Sequence, residues 1–320
     1  MRVLLWHVHG AWTTAFVQGG HEYLVPTLPD RGPDGRGRAR TYPWPDSVVE
    51  VTPDEAASAG VDVVVLQRPE ELGGLAERWL GGRRPGVDVP AVYLEHTSPE
   101  GPVGAMRHPA ADRPELTLVH VTHFNRLFWD PGSTPTRVIE HGVVDPGDRY
   151  SGELARAAVV LNEARRRGRV TGTDLLPFLA EQVPIDLFGM KAAEVSHALG
   201  PSGTWVDDLP QARLHEQMAR RRVYLHPVRW TSLGLSLLEA MHLGMPVVAL
   251  ATTEVAEAVP PDAGVVTNRL DVLASELRRL VAEPEEARLL GKAARAAALS
   301  RYGLHRFLAD WDVLLREVTR

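Results

Sequence analysis

The sequence predicts an α/β protein of two domains, each built on a doubly wound parallel sheet. Three observations lead there. Short β-branched and apolar runs alternate with helical patterns along the chain, as strand–helix–strand units do. At 320 residues the chain is longer than one compact core of ordinary size. Val247, Val248, Ala249 and Leu250 form a short continuous apolar run, the pattern of a parallel strand covered on both faces.

Arg2 to Trp6 reads as the first strand, ending in His7-Val8-His9-Gly10, and Ala11 to Gln18 as a short helix stopped by Gly19-Gly20. His21 to Leu28 is a second strand. Residues 29–46 are rich in Gly, Pro, Asp and Arg and lack apolar periodicity, which predicts a long surface loop. Val48–Val51, Val61–Leu66, Val89–Leu94, Thr117–Val121 and Arg137–Ile139 continue the strands, with a helical pattern near 69–80. Asp145 to Gly152, with proline, glycines and charge, reads as a hinge. Beyond it lie strands at Ala157–Leu161, Ile185–Phe188, Val223–Leu225, Val247–Leu250 and Gly264–Val266. Helices are expected at about 174–182, 210–221, 235–243, 271–282 and 284–300. The tail, Leu304 to Val318, is amphipathic, with Phe307, Leu308, Trp311, Leu314, Leu315 and Val318 on one stripe. The expected division is 1–148, 149–303 and a terminal helix at 304–320.

Composition excludes several functions. With 35 basic and 41 acidic residues the net charge is −6, against general nucleic-acid binding. There is no cysteine, hence no disulfide and no thiolate metal site. No apolar run approaches the roughly 18 residues of a membrane span. The N-terminal run is broken by His7 and His9 and reads as a strand rather than a signal peptide. A soluble, cytoplasmic protein is expected. The histidines sit at separate strand ends, without a His-Glu-x-x-His motif or facial triad, so no metal is expected; Asp207-Asp208 reads as a solvated turn. No G-x-S-x-G elbow follows a strand, and no G-x-G-x-x-G follows the first one.

The segment Arg229 to Leu250 carries the most chemistry. Leu235, Leu238 and Met241 fall at helical spacing; Gly244 stands where the helix stops and Pro246 follows. Small residues from Ser232 to Ser236 open the helix, leaving its N–H groups and positive dipole end accessible to an anion. Glu239, one turn in, is within reach of a ligand held there. This segment resembles the nucleotide-sugar signature of retaining GT-B glycosyltransferases of the bacterial group 1 type, mannosyl- and glucosyltransferases among them. Their pattern is Glu-x-Phe-Gly-x-x-x-x-Glu-Ala-x-x-x-Gly-x-Pro-Val-Val-Ala. Gly234, Glu239, Ala240, Gly244, Pro246, Val247, Val248 and Ala249 stand in register, whereas Thr231 replaces the first glutamate and Leu233 the phenylalanine.

The resemblance implies two facing Rossmann-like domains, with the terminal helix crossing back to the N-terminal one. It implies transfer of a hexose from a nucleotide diphosphate sugar, GDP-mannose or another, to a carbohydrate-containing acceptor, without a cofactor. The donor would be held by Thr231, Ser232, Leu233, Gly234, Leu235 and Glu239, with Gly189 beyond the strand Ile185–Phe188; Glu239 inherits the ribose. Arg165, Arg166, Arg167 and Arg169 follow a strand end, where ligands bind in open α/β sheets and arginine can clamp a diphosphate. Arg165 and Arg169 are assigned to catalysis, although Thr171 stands where the family carries lysine. His96 ends a buried strand and is the third catalytic candidate. His9, Gly10 and His123 fall on the acceptor side, and His141 matches a position that is commonly structural. Two other readings stay open. One is a sugar-nucleotide-binding protein on a catalytically degenerate scaffold, suggested by Thr231 and Thr171. The other is a different enzyme of the fold, an inverting transferase or a sugar-nucleotide epimerase.

Overall fold

The computed structural model describes residues Met1 to Arg320. It divides into two compact units, Met1–Val144 together with Leu304–Arg320, and Asp145–Gly303. In the first unit the strands are β1 (Arg2–Leu5), β2 (Glu22–Pro26), β3 (Val48–Val51), β4 (Val63–Leu66), β5 (Ala91–Glu95), β6 (Thr117–His120) and β7 (Thr136–Val138). They pair in parallel in the order β3-β2-β1-β4-β5-β6-β7. β4 and β5 are buried along their whole length, which is why their sequences run apolar without alternation. Helices α1 (Gly10–Phe16), α2 (Pro53–Ser58), α3 (Ala76–Trp79) and α4 (His123–Phe128) lie between them.

The second unit contains β8 (Leu154–Val160), β9 (Ile185–Phe188), β10 (Thr204–Val206), β11 (Arg221–His226), β12 (Val247–Ala249) and β13 (Gly264–Val266), again all parallel, in the order β10-β9-β8-β11-β12-β13. Its helices are α5 (Ala164–Arg167), α6 (Leu176–Ala180), α7 (Gln211–Ala219), α8 (Leu235–Leu243), α9 (Val255–Ala258), α10 (Leu270–Ala282) and α11 (Pro284–Tyr302). In both sheets the strand order reverses once, between β1 and β4 and between β8 and β11. Loops at the carboxyl ends of such a switch diverge and leave room for a ligand.

The terminal helix α12 (Leu304–Val318) belongs to the first unit. It buries Phe307, Trp311, Leu314 and Leu315, and Trp311 meets Trp12 and Phe16 of α1 edge-on at 5.6 and 5.0 Å. No helix is long and apolar enough to cross a membrane.

The structure departs from the sequence reading where polar contacts replace periodicity. The loop 29–46 is tied down: Arg31 pairs with Glu50, Arg38 donates to the carbonyl oxygens of Trp44, Pro45 and Val48, and Trp44 Nε1 donates to Thr14 Oγ1 at 2.8 Å. The helical pattern at 69–80 breaks at Gly73-Gly74, where Gly74 takes φ +106°, into a turn at Glu71–Leu75 and the short α3. The pattern at 174–182 shortens to α6 behind a 3₁₀ turn at Thr173–Leu175. α2 has no counterpart in the sequence reading; Thr52-Pro53-Asp54-Glu55 starts it, a capping box with proline in the first turn. β10 has only three residues at a sheet edge.

α8 and α11 pack closely, and a Cβ on Gly291 would overlap the carbonyl oxygen of Gly244. Helix propensity favours alanine over glycine by about 1 kcal/mol, yet overpacking costs about 1–3 kcal/mol and here the obstacle is backbone. Gly291→Ala should therefore lower the urea midpoint. A raised midpoint would show that α11 shifts away without cost.

Candidate functional site

In the second unit the carboxyl-end loops of β8, β9 and β11 converge. Gly172, at φ +74°, lies against the Pro227 carbonyl oxygen, and Gly189, at φ +128°, lies against the Leu161 carbonyl oxygen; no larger residue fits either place. Val170 O accepts the backbone N–H groups of Arg229 and Trp230 at 2.9 and 3.2 Å. The arginine-rich loop and the loop leading to α8 are thus one surface. Asn162 Oδ1 accepts the N–H of Met190 at 3.0 Å and binds the Gly189 turn to the same edge.

The helix opens where its spacing in the sequence places it. α8 begins at Leu235 with Gly234 as its N-cap, and no side chain caps it. Ser232 and Leu233 are buried in the preceding loop, Thr231 is half-buried there, and Leu235 is half-buried in the first turn. Gly234 is required by proximity: a Cβ would stand 2.7 Å from His226 Cε1. With no capping side chain, the first N–H groups of α8 have no side-chain acceptor of their own. Glu239 is buried one turn further. Its Oε1 accepts from Gln211 Nε2 at 2.8 Å, and its Oε2 lies 3.5 Å from His215 Nε2. Gln211 and His215 are one turn apart on α7. Their helical spacing was visible in the sequence, but their partner was not.

The arginines divide. Arg169 is exposed and pairs with Asp174 at 3.0 Å, which Arg229 also holds at 2.5 Å. Arg166 pairs with Glu163. Arg165 is exposed, and Arg167 is half-buried with its pKa lowered, chiefly by burial and then by Arg166. Thr171 is buried, its hydroxyl donating to Gly168 O at 3.1 Å and meeting Thr173 Oγ1 at 2.9 Å.

In the first unit His9, Gly10 and His96 come together. His9 is the exposed N-cap of α1, its ring centroid 4.1 Å from that of buried His96. Gly10 opens α1 against Tyr42, whose Cε2 would stand 2.7 Å from a Cβ there. His96 Nε2 meets Gln67 Oε1 at 3.0 Å. Burial foremost, then His9 and His141, hold His96 well below the usual histidine pKa. His123 is not at a strand tip: it is the exposed first residue of α4, because Thr122 accepts the Asn125 N–H and starts a helix there. No group of three or more His, Asp or Glu side chains is placed to hold a metal ion, and Asp207 accepts the Ala193 N–H at 3.1 Å.

Residues 194–297 match the family described as glycosyl transferases group 1. No curated protein matches this sequence. Among solved structures the chain is similar to sucrose-phosphate synthase from Thermosynechococcus elongatus, at 16% identity and a TM-score of 0.75, with 99% of each chain covered. It is similar to a glycosyltransferase from Rickettsia africae, at 12% identity and a TM-score of 0.71, covering 100% of this chain and 98% of that one. It is also similar to HepE of Anabaena in complex with UDP-glucose, at 14% identity and a TM-score of 0.68, covering 99% and 100%. At such identities the likeness establishes the fold, the two-sheet GT-B architecture.

His141, beside this first-unit cluster, is buried and neither ring nitrogen has a hydrogen-bond partner. Burial, then His9 and Arg306, lower its pKa from 6.5 to about 3. The unfolded chain therefore takes up a proton that the folded unit refuses. This costs nothing above about pH 6.5, and stability is lost as pH falls from there toward 3, about 2 kcal/mol by pH 5. His141→Leu should flatten that acid limb. Urea midpoints at pH 7 and pH 5 check it; an equal drop in parent and variant would mean that His141 is not held neutral.

Proposed function

Starting from a chain that has the GT-B fold and carries the glycosyl transferases group 1 match over residues 194–297, we propose that it transfers a hexose from a nucleotide diphosphate sugar to a carbohydrate-containing acceptor, with retention and without a metal. One observation carries the reading. A buried carboxylate, Glu239, is held by Gln211 one turn inside a helix whose N-terminus no side chain caps. That pairing suits a diphosphate at the helix end and ribose hydroxyls at the carboxylate. Thr231, Ser232, Leu233, Gly234, Leu235 and Gly189 line the same edge and complete the donor side in this reading.

Arg165 and Arg169 supply positive charge toward the departing diphosphate. His9, Gly10, His96 and His123 form the acceptor side on the first unit. The bond from the anomeric carbon to the diphosphate oxygen breaks, the acceptor oxygen bonds that carbon from the same face, and its proton passes to the departing phosphate. No carboxylate pair is assigned to a double displacement. HepE, which shares the fold, is known with UDP-glucose bound, so UDP-glucose and GDP-mannose head the donors to test.

A thermal-shift panel of UDP-, GDP-, ADP- and dTDP-sugars identifies the donor, since a ligand at a hundred times its Kd stabilises by about 2.7 kcal/mol. The anomeric configuration of the product, read by NMR, then decides retention. Stabilisation by none of them would overturn the reading.

Glu239→Ala should weaken binding of the donor by about 1.5–3 kcal/mol, the worth of hydrogen bonds to a charged acceptor, or roughly tenfold to over a hundredfold in Kd. Calorimetry on a variant whose melting curve shows it folded measures this, and unchanged affinity removes Glu239 from the site. Thr231→Glu should change which donor sugar is preferred and leave affinity for the free nucleotide diphosphate nearly unaltered, because Thr231 precedes the helix and is placed over the sugar. A large loss of nucleotide affinity with the same sugar preference would put Thr231 in the wrong subsite.

A further inference from the structure

Gln67 follows β4 at the carboxyl edge of the first sheet, and both ends of its amide are committed. Nε2 donates to the Trp6 carbonyl oxygen at 2.8 Å, and Oε1 lies 3.0 Å from His96 Nε2. The backbone N–H of Gln67 donates to Glu71 Oε2 at 2.6 Å, and Glu71 Oε1 accepts from Arg68 Nε at 2.7 Å. Gln67, Glu71 and His96 are all buried.

The orientation of the amide follows from Trp6. A backbone carbonyl can only accept, so the NH₂ end must face it. The reversed amide would set two oxygens against each other in a dry site, which is costly. The Gln67 oxygen therefore faces His96, and since it too can only accept, His96 Nε2 must carry the hydrogen. A neutral imidazole has one N–H, so Nδ1 is left as the accepting nitrogen. The ring stays neutral because it is buried beside His9 and His141.

We propose that Gln67 is a positioning residue that locks His96 in its Nε2–H tautomer and so makes the Nδ1 side of the ring a hydrogen-bond acceptor. That side then takes a donor, a sugar hydroxyl or the N–H of His9, and repels a phosphate oxygen. The consequence for substrate rests on the transferase reading; the tautomer itself does not. It is also a stricter role than a strand-end histidine has by position alone, since an imidazole free to exchange tautomers serves either kind of ligand.

The test is a long-range proton–nitrogen correlation spectrum of the full chain with ¹⁵N-labelled histidine at pH 7. The His96 pattern is identified by its loss in His96→Gln. Protonated Nε2 with bare Nδ1 is expected, and the opposite tautomer overturns the proposal. Gln67→Met, equal in length without the amide, should move His96 toward a mixture of tautomers. A Gln67→Met protein with the parent pattern shows that another contact sets the tautomer. If that variant does not fold, Gln67→Asn, which withdraws the amide by one methylene, takes its place with the same expectation. The spectra need no substrate. An inactive chain with the expected pattern sinks the transferase reading alone, and an active chain with the opposite tautomer sinks this one alone.

Discussion

The second unit depends on how closely its backbone loops approach one another at the reversal between β8 and β11. The Cβ that Gly172 lacks would fall on the Pro227 carbonyl, and the one that Gly189 lacks would fall on the Leu161 carbonyl. With side chains at those two places, the loops after β8, β9 and β11 would be held apart. The arginine-rich loop could then not share Val170 O with Arg229 and Trp230. The arginine-rich loop and the loop leading to α8 meet only because two glycines let the main chain pass. Such loops carry chemistry when a rigid sheet positions them, and both sheets here are buried through their central strands.

What was legible in the sequence follows the range of the forces involved. α8 was found at Leu235–Leu243 because its limits are local: small residues before it, Gly244 in the left-handed conformation at its end, Pro246 beyond. The buried strands were found because apolar runs without alternation need both faces covered. The terminal helix was visible as a stripe, and its docking against Trp12 and Phe16 was implied only by the family likeness. Strand order was not legible, because nothing within a strand encodes its neighbour. The proximity of His9, His96 and Gln67 depends on β1, β4 and β5 being adjacent, although Gln67 is 29 residues from His96 in sequence. Gln211 and His215 are in the same position relative to Glu239: one helix turn apart, they looked like any surface pair until α7 was set beside α8.

Two of the departures from the family pattern have different structural consequences. Thr171 stands where a lysine would supply charge, and its hydroxyl is already spent inside its own loop on Gly168 and Thr173. It therefore substitutes for nothing, and any charge lost there must come from elsewhere. Thr231 is half-buried in the loop before α8, so part of it stays open to solvent and to a ligand.

Charge around that loop can be followed residue by residue. Asp174 takes Arg169 and Arg229 together, and Glu163 takes Arg166 and Lys191. One carboxylate between two cations leaves each group with a net positive charge, and Arg165 and Arg167 add to it without an ion pair of their own. Arg167 is partly removed from water, which lowers its pKa but leaves a guanidinium charged at any pH the protein meets. A cation poorly solvated and unpaired is a cost in the free chain. Arg165, exposed, carries no such cost and is screened by solvent and salt. Of the two, Arg167 has more to gain from an anion at the edge of this sheet, because a diphosphate would restore what burial removed. In the transferase reading that diphosphate is the leaving group, and Arg167 would add its charge to that of Arg165 and Arg169.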